Sequence, residues 1–300
     1  MSSGRKNRVV ISCVTFETAK ITDPVDFYQA THVHLIWYAE DPRSDTIYRK
    51  FYERVCEIIK EQSPFEVKIE EHIEKVYYFT DMLRTVLSII QKEKDNCKES
   101  DIYVNISAGT HEYSAAAAIA SMMTGAIPFS VGTAEHTVQD DAVFFENEKP
   151  VGLTKKAKDP YLMPYYPIEM PERYLVRALR VLEHRNSKNL SVTGAKMTEA
   201  LMKRNIWLRG EMNFGEEKVL DETEKRKKKK KEESGGIYVG RSDVVYYHRD
   251  YVDKWLKKGW VRKNEFKRYE VSDTGKKILE IFYVDDDQDL RIDGSRSPQS

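Results

Sequence analysis

The sequence predicts a doubly wound α/β domain with a mostly parallel sheet, followed by a smaller and mainly α domain. Three observations lead there. Short apolar runs alternate with amphipathic segments through the first half of the chain. Between residues 102 and 123 an apolar run (IYVN) passes through a small-residue turn (SAGT) into an alanine-rich stretch, which is strand, turn and helix in that order. Past residue 171 the apolar periodicity is helical, interrupted by a charged stretch at 205–236 and by one basic hairpin.

In order, residues 8–14 (RVVISCV) read as a buried strand, and residues 15–24 as a polar turn. Asp23 and Pro24 offer a cap and a first helical position, so a short helix is expected from there to about Ala30. A second strand follows at 33–38. Asp41 and Pro42 open a helix in which Ile47, Phe51, Val55 and Ile58 recur at helical spacing. Residues 65–72 alternate and predict a less buried strand. Thr80 and Asp81 begin a helix with Leu83, Val86, Leu87 and Ile90 on one face. A fifth strand is expected at 126–132, with a sixth at 142–145 on the edge. The domain is expected to span residues 1–146.

Composition narrows the class. Hydrophobic residues make up 40% of the chain and charged ones 33%, enough apolar content for real cores. No apolar run approaches the roughly 18 residues that would span a bilayer. The first residues pass from a basic polar tail into a strand without the apolar stretch of a signal peptide. Cys13, Cys56 and Cys97 lie far apart, so neither a disulfide framework nor a zinc site is expected, and the protein is expected in the cytoplasm. The net charge of zero hides an asymmetry. Residues 1–170 hold 19 Lys+Arg against 26 Asp+Glu, and residues 171–300 hold 30 against 23. Only the second half is suited to a polyanion.

In a parallel α/β sheet, ligands collect at the carboxyl ends of the strands. The N-terminus of the helix after residue 110 would favour an anion, and Gly109 would let one approach the backbone. The fold resembles a Rossmann domain, yet no GxGxxG follows the first strand, which argues against ordinary NAD binding.

Asn105, Ser107 and His111 stand in the order Asn-x-Ser-x-x-x-His. This resembles the [Asp/Asn]-x-[Ser/Thr]-x-x-x-[Arg/Lys] signature of CRISPR-associated Rossmann-fold (CARF) domains, and the resemblance covers roughly residues 8–146. It implies a homodimeric sensor of a cyclic oligoadenylate, with cyclic tetra-adenylate the ring expected, and no cofactor or metal. The ligand would meet Ser12, Thr15, Phe16 and Glu17 after the first strand, and Asn105, Ser107, Ala108, Gly109, Thr110 and His111 after the fourth. His111 stands where the family has Arg or Lys, so a fixed charge becomes a titratable one. The alternative is a metal-independent ring nuclease using Thr110, His111 and Glu112. Neighbouring helix residues point about 100° apart, which works against that convergence.

Residues 147–171 carry five prolines and three tyrosines and read as an extended linker. Amphipathic helices are expected at 172–183 and after Thr193. Residues 209–236 hold a lysine run read as a charged, disordered insertion. Ser242 would cap a helix ending at Gly259, followed by a hairpin at 260–271 and a closing helix at 272–282. This order, and the segment WLKKGWVRKNEFKRYEVSDTGKKIL, resemble winged helix-turn-helix regulators. The resemblance implies a winged helix over 172–284 that contacts double-stranded DNA through Arg241, Ser242, Tyr247, His248, Arg262, Lys263, Lys267 and Arg268. An adaptor that does not bind DNA is the alternative. Residues 285–300 read as an acidic, disordered tail.

Overall fold

A computed structural model of the chain describes residues 7–41, 46–137, 145–146, 149–208 and 222–284. The chain divides into two compact units, Met1–Met170 and Pro171–Ser300.

The first unit alternates as expected: β1 Arg8–Cys13, α1 Ala19–Phe27, β2 His32–Trp37, α2 Ile47–Gln62, β3 Lys68–Ile73, α3 Phe79–Asn96, β4 Asp101–Asn105, α4 His111–Thr124 and β5 Ile127–Ser130. Its central sheet is mixed but mostly parallel, running β3-β2-β1-β4-β5 before a short antiparallel strand, β10 Tyr161–Leu162, closes the β5 edge. The chain winds outward from β1 through β2 and β3, then returns to the other side of β1 for β4 and β5. The strand order therefore reverses between β1 and β4, and that is where an open α/β sheet leaves a crevice. Central β1 and β2 are buried almost throughout, whereas β3 at the edge is half exposed. Covered strands tolerate continuous apolar runs and an edge strand does not, which is why residues 65–72 read less apolar.

Helix α1 corrects the sequence expectation. It begins at Ala19, not at Asp23, and carries Pro24 inside it. A proline there cannot donate to the carbonyl four residues back. That carbonyl belongs to Lys20, and Asn105 Nδ2 donates to it instead, at 2.8 Å. Helix α2 is capped by Thr46, whose hydroxyl accepts from Arg49 N. The expected Pro42 start lies outside the described residues, as do residues 142–144 of the expected edge strand.

The proline-rich stretch is not a free linker. After β5 come β6 Thr133–His136, β7 Phe145–Glu146, β8 Lys149–Pro150 and β9 Thr154–Ala157. β9 pairs with β6 and β10 with β5, while Ile168 N donates to Met122 O. Gly152 forms a bridge with Glu17, at a positive φ and so close to the Phe16 carbonyl that a Cβ would sit 2.2 Å from it. The segment is a strap across the start of α1. Pro150 ends the two-residue strand β8, and the other prolines lie between or beyond the strap strands.

The second unit holds α5 Arg173–Ser187, α6 Gly194–Lys203, α7 Glu222–Glu233, α8 Arg241–Tyr247, a π turn His248–Val252, α9 Asp253–Lys257, the hairpin β11 Val261–Lys263 and β12 Tyr269–Val271, and α10 Asp273–Ile281. Its core is aromatic. Tyr247, Tyr251 and Trp255 are buried, with Tyr251 Oη donating to Ile206 O and Trp255 Nε1 to Leu175 O. Residues 241–257 form one helical run, and the π turn within it is a single widened turn. Gly240, not Ser242, precedes this run, and Asp243 Oδ2 accepts from Gly240 N at 2.9 Å. The lysine run at 222–233 is helical where disorder was expected. Lys, Arg and Glu are good helix formers, and a helix polar all round leaves no apolar stripe to detect. Residues 209–221 and the 285–300 tail lie outside the described residues.

Candidate functional site

The crevice is made by the loop after β1 (residues 14–18) and the turn after β4 (residues 106–110). β1 and β4 are hydrogen-bonded neighbours with Val9 opposite Ile102 and Ile11 opposite Val104, so both loops leave the sheet side by side.

The turn after β4 is held from within. Asn105 is fully buried. Its Oδ1 accepts from Ser107 N at 3.0 Å and from Ser107 Oγ at 2.7 Å, while its amide serves Lys20 O. Ser107 Oγ in turn accepts from Val131 N at 2.9 Å. Two hydrogen-bonded side chains, Asn105 and Ser107, thus tie β4, α1 and the exit of β5 together. Gly109 has φ of 102°, and a Cβ there would lie 2.6 Å from Cys13 Cβ, so only glycine fits. Thr110 caps α4: its Oγ1 accepts from Tyr113 N at 3.1 Å and donates to Val76 O at 2.6 Å. Burial pushes the Cys13 thiol beneath this turn up to about 12, with the Thr110 N–H acting more weakly in the other direction. The thiol is inert packing.

Several of the residues expected to meet a ligand make hydrogen bonds within the fold. Asn105, Ser107 and Thr110 have committed their polar atoms to the fold, and Ala108 is buried. Ser12 is fully buried in β1. Glu17 is a strap anchor, accepting at 3.1 Å from both Thr154 N and Thr154 Oγ1, with Lys20 Nζ at 3.5 Å. What the crevice offers outward is Thr15, Phe16, the Gly109 backbone, and His111 at the first position of α4, which is exposed. The N–H groups of residues 111 and 112 belong to the first helical turn, which has no intrahelical acceptor for them. Of the alternative catalytic set, the Thr110 hydroxyl donates to the Val76 carbonyl, and His111 and Glu112 lie in the first turn of α4.

Aromatic side chains add a rim that the sequence reading missed. Phe16 stacks on Tyr48 at 5.0 Å, Tyr48 meets Tyr38 at 6.1 Å, and Tyr38 meets Tyr77 at 5.6 Å. The Tyr48 and Tyr77 hydroxyls are hydrogen-bonded. Tyr77 and Tyr78 are 46% and 62% exposed. The signal was available: an aromatic residue stands just past each of β1, β2 and β3.

In the second unit, a cavity of about 520 Å³ is bounded by residues 189–194, His248 and residues 267–269. Lys267 and Arg268 are exposed at the hairpin turn, where Lys267 takes a positive φ of 58°. Arg241 and Lys263 are also exposed, and Lys263 Nζ lies over the Tyr269 ring at 5.3 Å. Arg262 pairs with Glu270 at 2.8 Å, and Ser242 is half-buried. Tyr247 is 1% exposed and is removed from the surface set: it packs against Tyr251 and Trp255.

A family model described as "HFX_2341_N:-like, N-terminal" matches residues 8–136, the alternating unit up to β6. A search of curated proteins finds no match. Among solved structures, Csm6 of Enterococcus italicus, bound to cyclic hexa-2'-fluoro-hexa-dAMP, is 16% identical with a TM-score of 0.35, covering 43% of this chain and 34% of that one. Can2 from Sulfobacillus thermosulfidooxidans, in complex with cyclic tetra-adenylate, is 11% identical with a TM-score of 0.31, covering 91% of this chain and 64% of that one. Protein VC1899 from Vibrio cholerae is 9% identical with a TM-score of 0.33, at 92% and 64% coverage. The chain thus spans about a third of the first and under two thirds of the other two. Among the described residues, no helix is long and apolar enough to cross a membrane.

Proposed function

We propose that the chain is a CARF-type sensor. Its first unit binds a cyclic oligoadenylate in the crevice between β1 and β4, as a homodimer, and its second unit is a winged helix whose hold on double-stranded DNA the ligand adjusts. One observation carries the reading. β1 and β4 are neighbours at the reversal of strand order, so a helix N-terminus and a glycine backbone open beside the loop after β1. An anionic, phosphate-bearing ligand suits that arrangement. The signature residues support it in a changed role: Asn105 and Ser107 shape the turn, and His111 and the backbone face the ligand. The family model covers the same segment.

The exposed rings of Tyr77 and Tyr78 suit the bases of such a ligand, since base–aromatic stacking contributes about 1–3 kcal/mol per base. In the second unit, Arg241, Lys263, Lys267 and Arg268 are exposed, and these would meet DNA phosphates. The ligand changes DNA affinity only by contacting one arrangement of the dimer better than another.

Isothermal titration with cyclic tri-, tetra- and hexa-adenylate tests the reading, with linear AMP and cyclic di-AMP as controls. Cyclic tetra-adenylate, the ligand in the Can2 complex, is the first ring to try. One ring per dimer is expected, and no heat from any ring removes the sensor reading. DNA affinity that falls steeply with salt, and weakens in Lys267→Ala/Arg268→Ala, is expected of the second unit. No DNA binding at any salt concentration would leave an adaptor.

A further inference from the structure

We propose that His34, Glu70 and His72 form a binding site for a divalent transition-metal ion of the zinc class, at the outer edge of the sheet and separate from the crevice. It is the group of three potential metal donors found among the described residues. The expectation of no zinc site came from cysteine spacing. These donors instead converge through strand register, which the linear sequence does not display.

β2 and β3 pair in parallel, with His34 opposite Glu70 and Ile36 opposite His72. Side chains alternate along a strand, so positions 34, 70 and 72 share one face. His34 Nδ1 lies 2.9 Å from His72 Nε2 and 3.8 Å from Glu70 Oε2. The three donor atoms lie within 4.8 Å of one another. Bonds of about 2.0–2.2 Å at tetrahedral angles hold donors roughly 3.3–3.5 Å apart, so an ion is accepted with small side-chain shifts. Two imidazoles and a carboxylate suit zinc, and three protein donors leave a fourth position for water or a ligand. β3 is the edge strand, and Glu70 and His72 are only half-buried, so an ion has a way in.

The second, independent observation is Glu93 on α3. It is a carboxylate only 2% exposed, and its Oε1 lies 3.3 Å from His34 Nε2. His34 is fully buried, and this Nε2 makes no hydrogen bond. A carboxylate set on the far nitrogen of a histidine keeps the proton there and turns the other lone pair toward a metal. A slight rotation of the His34 ring aligns that bond. Meanwhile Glu70 is held by Lys68 at 2.5 Å and Lys92 at 2.8 Å. Both lysines are more than half exposed, so releasing one to water costs little.

The test is titration of metal-stripped, full-length protein with Zn²⁺ by calorimetry, and with Co²⁺ followed by visible absorption. One ion per chain is expected, with the visible bands of a four-coordinate cobalt site. Glu70→Gln and His72→Gln, at half-buried positions, should each weaken zinc binding at least ten-fold with an unchanged far-UV spectrum. Glu93→Gln should weaken it roughly 10–100-fold, as loss of an outer partner does. Failure of the folded wild type to bind zinc overturns the proposal. So does binding that survives both Glu70→Gln and His72→Gln undiminished, which would assign the ion to exposed histidines such as His111 and His136.

Discussion

At the carboxyl ends of β1 and β4, most polar side chains are turned inward and bonded: Asn105 to Lys20 and Ser107, Thr110 to Val76 and Tyr113, Glu17 to Thr154, whereas Ser12 Oγ is buried with no hydrogen-bond partner. On the face shared by β2, β3 and α3, polar groups crowd together with a His34 nitrogen left unbonded. The first cluster spends its polarity on holding a shape, so what it presents outward is backbone and rings. The second holds polarity in reserve. Burial and then repulsion from His72 push His34 down to about 3, and burial also lowers His72, so both imidazoles stand neutral near pH 7. A satisfied polar network signals stability, and an unsatisfied one signals a missing partner.

The contrast can be broken by substitution. Gly109→Ala should have the largest effect, because it combines a disfavoured φ with a clash on Cys13. A loss of about 3 kcal/mol or more is expected in urea unfolding of the full chain. Asn105→Ala comes next. It strands the Lys20 carbonyl that Pro24 cannot serve and the Ser107 N–H, at about 2–3 kcal/mol, read as a melting point lower by several degrees. An Asn105→Ala protein that melts as the wild type yet binds no ligand would show that Asn105 is a contact and not a clamp. Glu17→Gln should cost about 1 kcal/mol, since the amide can keep only one of the two Thr154 bonds. His72→Gln, measured in chelator, should change stability least, within about 0.5 kcal/mol. A large loss there would make the histidine pair a structural element and put the two clusters on the same footing.

Much of this was legible in the sequence. The short apolar runs gave β1, β2, β4 and β5, because strands covered on both faces need no polar alternation. Thr110 marked the start of α4 correctly for the same reason it caps: its hydroxyl reaches the N–H three residues on. Helix α1 was misjudged because Pro24 reads as a first helical residue, and only a distant side chain, Asn105, makes it tolerable inside one. The strap was misjudged because proline density looks the same in a connector and in short strands that pair on one edge. The spacing named the residues of the turn after β4 but not the partners of their side chains. Motif spacing names residues, but whether a hydroxyl faces a ligand or a carbonyl is decided by partners far away in sequence. Tyr247 shows this in the second unit, where a helical aromatic expected at the surface is core.

The strap has a consequence for how the protein is made. The loop after β1 is fixed by Thr18 donating to Val151 and by Glu17 accepting from Thr154, contacts that span 133 and 137 residues. At about 5–20 residues per second, a ribosome needs roughly 7–27 s to deliver the later partner after the earlier one. The loop after the first strand thus waits for partners made long after it. A chain released before residue 154 would hold a sheet with an unfinished mouth.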